Sequence, residues 1–150
     1  MSLEALAGDF VQKTLPKASW THDAHLRVGL WHLLRHTPEE TLHLLRQRIR
    51  AYNLATGGEN TDTAGYHETI TRFYVWLIQA FLDTQALPGS PDELAEQLVA
   101  DCGDKTLPFR FWSKEVLFSI PARLGWVPPD LRELSWQGQV GWDPGSTPMT

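Results

Sequence analysis

Apolar residues recur along this chain every three to four positions, and nowhere alternate with period two over a useful length. That period belongs to amphipathic helices rather than half-buried strands. Leu3, Leu6 and Phe10, with Val11 beside them, form the stripe of a short first helix from its cap Ser2 to about Thr14. Pro16 disfavours helix at Leu15, so residues 15–19 read as a connection. A second helix is expected from about Thr21 to His36, with Leu26, Gly29 and Leu33 on its inner face. Thr37-Pro38-Glu39-Glu40 is the clearest helix start, a capping box with proline at the first helical position. That third helix should run to about Thr56 and stop at Gly57-Gly58. Leu42, Leu45, Ile49, Tyr52 and Asn53 would face inward, leaving Arg46, Arg48 and Arg50 as a solvated basic side.

The fourth helix is predicted from about Ala64 to Asp83. It carries His67, Ile70, Thr71, Tyr74, Ile78 and Phe81 on one face, and Phe73, Trp76 and Leu77 around the rest. A helix apolar nearly all round is the most buried one. The next connection closes on Leu87-Pro88-Gly89, and Ser90-Pro91-Asp92-Glu93 is a second capping box opening a helix to about Cys102. Ser113 should cap a last short helix ended by Pro121. The expectation is an all-α fold: a bundle of four main helices with one or two short extra helices. Residues 1–136 form a single helical domain, and 137–150, rich in Gly, Pro and Trp, an extended or disordered tail.

Composition narrows the function classes. At 150 residues, 42% hydrophobic and 21% charged, the chain is an ordinary globular domain. It is long enough to bury about two thirds of its unfolded surface. A net charge of -5 points away from nucleic acid, and no basic run is suited to an anionic membrane. No apolar run reaches transmembrane length, and the first residues lack the layout of a signal peptide. The single Cys102 excludes an internal disulfide, and a cytoplasmic location is the expectation. Of the seven tryptophans, four lie at or beyond Trp112, where they could cover a site or dock a partner.

The candidate chemistry lies in two stretches, Trp20-Thr21-His22-Asp23-Ala24-His25-Leu26 and Gly65-Tyr66-His67-Glu68-Thr69. Each falls at a predicted helix start. In an up-and-down bundle the second and fourth helices run parallel, which puts both starts at one end. His22 and His25 flank the inner face of the second helix. Histidines at i and i+3 can grip one ion, and a third from another helix leaves an open coordination position. The expected set is therefore His22, His25 and His67 around a divalent metal, with zinc, iron and nickel all acceptable to imidazole. Glu68 is either a fourth ligand or a general base acting on metal-bound water, and Asp23 could orient a ligand imidazole.

Plainer roles compete. His22 can simply cap its helix, and Glu68 and Arg72 are an i,i+4 ion pair. His32, His36 and His43 read as structural. Asn53 and Tyr66 lie at the same end and are candidates for contacting a substrate, as are Tyr52 and Asn60. Arg123 is the candidate for an anionic group, since its fork suits a carboxylate or phosphate. Cys102, Ser113 and Ser119 have no activating partner, and no glycine-rich phosphate loop is present.

Four stretches together carry a resemblance. They are Leu15-Pro16 through the Trp20-Thr21-His22-x-x-His25-Leu26 pattern; Tyr52-Asn53 with Gly57 and Asn60-Thr61; Gly65-Tyr66-His67-Glu68-Thr69-Ile70-Thr71; and Ser119 to Pro121-Ala122-Arg123 with Pro129-Asp130-Leu131. The chain resembles a group of small bacterial all-helical proteins, mostly without an assigned function. The resemblance implies that residues from about 10 to 135 form one unit, the Arg123 segment included, and it implies no activity.

Two functional expectations follow. The first is a mononuclear metal site of His22, His25 and His67, with Glu68 as the catalytic carboxylate if the protein is an enzyme, doing hydrolytic or oxidative chemistry on a small molecule. The second is a non-catalytic module that binds a small molecule or a protein, the histidines serving as hydrogen-bonding groups. A purely structural set of buried histidines is a third reading. A small-molecule ligand is the expected partner, with a homodimer also open.

Overall fold

The computed structural model describes residues 1–85 and 89–145. Its helices are α1 (Leu3–Val11), α2 (His22–Leu33), α3 (Pro38–Ala55), α4 (Glu68–Asp83), α5 (Pro91–Cys102), α6 (Lys114–Leu117) and α7 (Ile120–Leu124), with single 3-10 turns at Lys17–Ser19 and Leu107–Arg110. Among the described residues there is no strand, as the helical periodicity requires. Capping chemistry sets most of the starts: Ser2, Thr21, Thr37, Ser90, Ser113 and Ser119 each accept a backbone N–H from the first turn that follows. Around Thr37 the capping box is complete, with the Glu40 carboxylate accepting from the Thr37 N–H at 2.9 Å. At Ser90 the forward half forms, to the Glu93 N–H.

α2 packs against α1, α3, α4 and α5, while α4 packs against α2, α3 and α7. Ten of the sixteen residues of α4 are buried, which makes it the helix around which the others are laid. α2 and α4 run in the same sense. The His22 ring meets Tyr74 at 5.5 Å between centroids, and a turn or two further along Gly29 backs onto Ile78. A Cβ at Gly29 would lie 2.7 Å from the Ile78 Cδ1 methyl, so the missing side chain is what lets the two helices close on each other.

Besides the end of α1, at Val11 and not near Thr14, three boundaries differ from the sequence reading. α2 ends at Leu33, not at His36, and α4 begins at Glu68, not near Ala64. The second shift has a backbone cause: Gly65 sits at φ +83°, and a Cβ there would lie 2.0 Å from the Glu59 carbonyl oxygen. Only glycine fits that left-handed turn, which delays the helix until His67 can cap it. Pro121 opens α7 instead of ending a helix, because a first-turn proline gives up an N–H that has no helical partner anyway.

The expected solvated arginine face of α3 is also corrected. Arg46 donates to the buried Glu68 and Arg48 to the buried His32 Nε2, at 2.9 Å. The described part of the tail turns back on the helices. A reversal at Gln137 (φ +48°) and Gly138 (φ +81°) closes a Trp136–Gln139 bridge. Beyond it Trp76 Nε1 donates to the Val140 carbonyl, an Arg72 N–H to the Pro144 carbonyl, and Trp142 Nε1 to Glu39. Residues 146–150 of the expected tail, and Leu87 and Pro88 of the connection before α5, lie outside the described residues. No described helix is long and apolar enough to cross a membrane.

Candidate functional site

Parallel α2 and α4, with the last turns of α3 beside them, line an open cavity of about 520 Å³ at one end of the helical stack. Its wall carries Trp20 and His25 from the start of α2, Ile49 and Asn53 from α3, and Tyr66, His67 and Ile70 from the start of α4. A smaller recess of about 70 Å³ adjoins it, sharing Trp20, His25, Ile49, Ile70 and Thr71. The recess lies deeper between α2 and α4, against Leu26, Gly29, Leu45 and Ile78, with His22 and Tyr74 on its wall. The two histidine-bearing stretches thus do meet at one end of the molecule, as the topology implies.

What the imidazoles do there is more specific than clustering. The His25 Nδ1 lies 2.6 Å from the Thr21 carbonyl oxygen. A carbonyl can only accept, so Nδ1 carries the proton and Nε2 keeps a bare lone pair. The ring is also stacked on Trp20 at 3.7 Å, and Trp20 in turn on Phe10 at 4.5 Å, which holds its orientation. Desolvation by the groups packed around the ring lowers its pKa below the ordinary histidine value, although the residue as a whole is exposed. His22 Nε2 is buried and has no hydrogen-bond partner among the described residues. Desolvation lowers its pKa as well.

His67 is held on both sides. As the cap of α4 its Nδ1 accepts from the Ile70 N–H at 3.2 Å, and its Nε2–H donates to the Leu117 carbonyl at 2.7 Å. A metal ion would have to displace one of these bonds. Burial lowers its pKa too. Among the described residues, no group of three or more His, Cys, Asp or Glu side chains is placed to hold a metal ion.

Glu68 is turned away into a buried ionic network. Its carboxylate accepts from Arg46 Nε and Nη2, from Arg72 Nε at 2.6 Å, and from the Tyr66 hydroxyl at 2.7 Å. Burial alone would raise its pKa, but the hydrogen bonds from Arg46, Arg72 and Tyr66 outweigh it and hold the group at about 2. A carboxylate so stabilised is a poor general base. The i,i+4 pair with Arg72 forms as its spacing allows, but inside the protein, with side-chain exposures of 2% and 4%.

The other candidates divide. Asn53 lines the cavity, and its side-chain amide N–H donates to the Asn60 side chain at 3.0 Å. Tyr66 also lines the cavity, while its hydroxyl serves Glu68 and Arg50 stacks over its ring at 4.8 Å. Arg123 reaches the back of the site, donating to the Gly65 carbonyl at 2.7 Å, and borders a separate depression with Arg50 and Thr61. Its evident work is to hold the left-handed turn that precedes α4. Thr69, not singled out in the sequence, does more than any of these. Its hydroxyl donates to the Gly125 carbonyl at 2.7 Å and accepts from the Val127 N–H, pinning the chain after α7 to α4. Its place beside His67-Glu68 was the only available signal.

No protein-family model, curated protein or solved structure matches this chain.

Proposed function

We propose that the protein is a non-catalytic small-molecule-binding protein, with its ligand held in the cavity between the starts of α2 and α4 and the end of α3. The observation that carries this reading is the cavity itself. At about 520 Å³ it has the size of organic-ligand sites, and it joins aromatic and aliphatic walls to a few polar atoms in fixed positions. The Trp20–His25 stack and the internal bonds of Asn53 and His67 support the reading, because a wall already ordered in the free protein lowers the entropy lost on binding. The metal reading has less behind it, since His67 and Glu68 have their binding atoms engaged.

The test is a fragment screen by protein-detected NMR. Binders should move the signals of the Trp20 indole, Ile49, Asn53 and Ile70 together. Hits confined to other surfaces would refute the proposal. So would plasma mass spectrometry finding about one metal ion per chain that is lost in a His22→Ala/His67→Ala double variant.

A further inference from the structure

From His25 and His22, where the cavity and the recess adjoin, we infer that the site selects a ligand with an uncharged hydroxyl on a short branched aliphatic group. The alkyl part would fill the recess and the hydroxyl would pair with imidazole nitrogen. This deepens the binding reading above and rests on it.

The recess is walled by Leu26, Leu45, Ile49, Ile70 and Ile78, and Gly29 contributes no side chain. Its volume of about 70 Å³ admits a group of a few carbon atoms and no ring system. Apolar walls with no charged side chain among them exclude an ion, because a buried charge without a partner is heavily penalised. The charged lining residues, Lys17 and Glu59, belong to the wider cavity only.

The apolar lining is broken by the imidazole nitrogens of His22 and His25 and by the hydroxyls of Tyr74 and Thr71, the last of which donates to the His67 carbonyl. His25 Nε2 has its lone pair bare because Nδ1–H is committed to the Thr21 carbonyl, and the Trp20 stack prevents the ring from turning to hide it. His22 Nε2 is buried on the recess wall without a partner. A buried polar atom left unpaired costs stability, and a ligand that pairs it recovers that loss. His25 is an exposed residue that water can serve in the free protein, so a ligand that covers its bare nitrogen must supply a donor in the water's place. A hydroxyl has one donor and two acceptor lone pairs, so it can donate to His25 Nε2 and accept from His22 when that ring carries its proton on Nε2. A carbonyl, ether or halide cannot serve His25.

The experiment titrates the full-length protein with four probes sharing one skeleton: isobutanol, isobutyl chloride, isobutyrate and isobutylammonium. Binding is read from the methyl signals of Ile49, Ile70 and Ile78 and from the side-chain nitrogen shifts of His22 and His25. Isobutanol should bind about fivefold more tightly than the chloride, the worth of one hydrogen bond, and should move the His25 Nε2 resonance. Both ions should bind at least about tenfold more weakly than isobutanol. His25→Phe keeps a ring on Trp20 and removes that acceptor, so it should reduce the preference for alcohol over chloride to the part carried by His22. The nitrogen shifts in the unmodified protein make the test independent of how that variant folds. Equal binding of alcohol and chloride, an unmoved His25 Nε2, or tighter binding of either ion would overturn the inference while the shared methyl shifts left the binding site standing. No methyl shift with any probe, together with a failed fragment screen, would remove both.

Discussion

Replacing Glu68 by Gln isolates the buried ionic network while keeping the shape of the side chain. In the native protein this carboxylate takes hydrogen bonds from Arg46, Arg72 and Tyr66 and is only 3% exposed. Two estimates of its worth can be made. Its pKa falls from 4.5 to about 2, which by linkage is about 3 kcal/mol of stability. Removing one member of a buried ion pair costs about 3–5 kcal/mol, because the remaining charges stay buried. Glu68→Gln should therefore lose about 3–4 kcal/mol at pH 7, lowering the midpoint of thermal unfolding by roughly 10 °C in a domain of this size. The pH dependence gives an independent check. A depressed folded-state pKa stabilises above the unfolded value near 4.5, and that stabilisation is lost as pH falls toward 2. Glutamine does not titrate, so the gap between the two proteins should close over that window. Urea unfolding followed by circular dichroism at several pH values measures it. A gap under about 1 kcal/mol at pH 7, or one that does not narrow below pH 4.5, would refute the assignment of this network as a major stabilising element.

Three further outcomes are expected. His32 is fully buried, donates to the Val28 carbonyl and accepts from Arg48, and burial lowers its pKa to about 4. The unfolded chain therefore binds the extra proton first, and stability should fall by about 2 kcal/mol from pH 7 to pH 5 through this group; in His32→Gln, denaturant titration should find that part of the slope gone. Thr69→Val removes the bonds to Gly125 and Val127, should cost about 1–3 kcal/mol, and should raise amide exchange after α7 while α2 stays protected. Truncation after Gln139 strips Trp76 Nε1 of the Val140 carbonyl and Arg72 of the Pro144 carbonyl. It should lower the thermal midpoint measurably, and an unchanged midpoint would mean that the returning tail contributes nothing to the fold.

The site shows where sequence reasoning ran out. His22, His25 and His67 could be placed at one end of the molecule because helix order and short connections fix the sense of each helix. Their roles could not, because a histidine near a helix start serves equally as ligand, cap or packing group. His67 became a cap when the left-handed Gly65 delayed α4 to Glu68. Glu68 left the pocket because Arg46, from a different helix, outcompeted water for its carboxylate. Nothing in the spacing of Arg46, Arg48 and Arg50 distinguishes a solvated face from one that reaches inward to a carboxylate and an imidazole.

By itself the sequence determined the helical class, the capped starts at Thr37 and Ser90, the burial of α4, and the meeting of the two histidine stretches. These rest on local periodicity, on capping chemistry and on the topology of short connections, all written within a few residues of one another. The tertiary structure alone decided which polar atoms were consumed internally and which stayed open to a cavity. That choice is made by partners distant in the chain, such as Leu117 for His67 and Arg46 for Glu68, and a hydrogen bond between distant residues leaves no periodic trace in the order of amino acids.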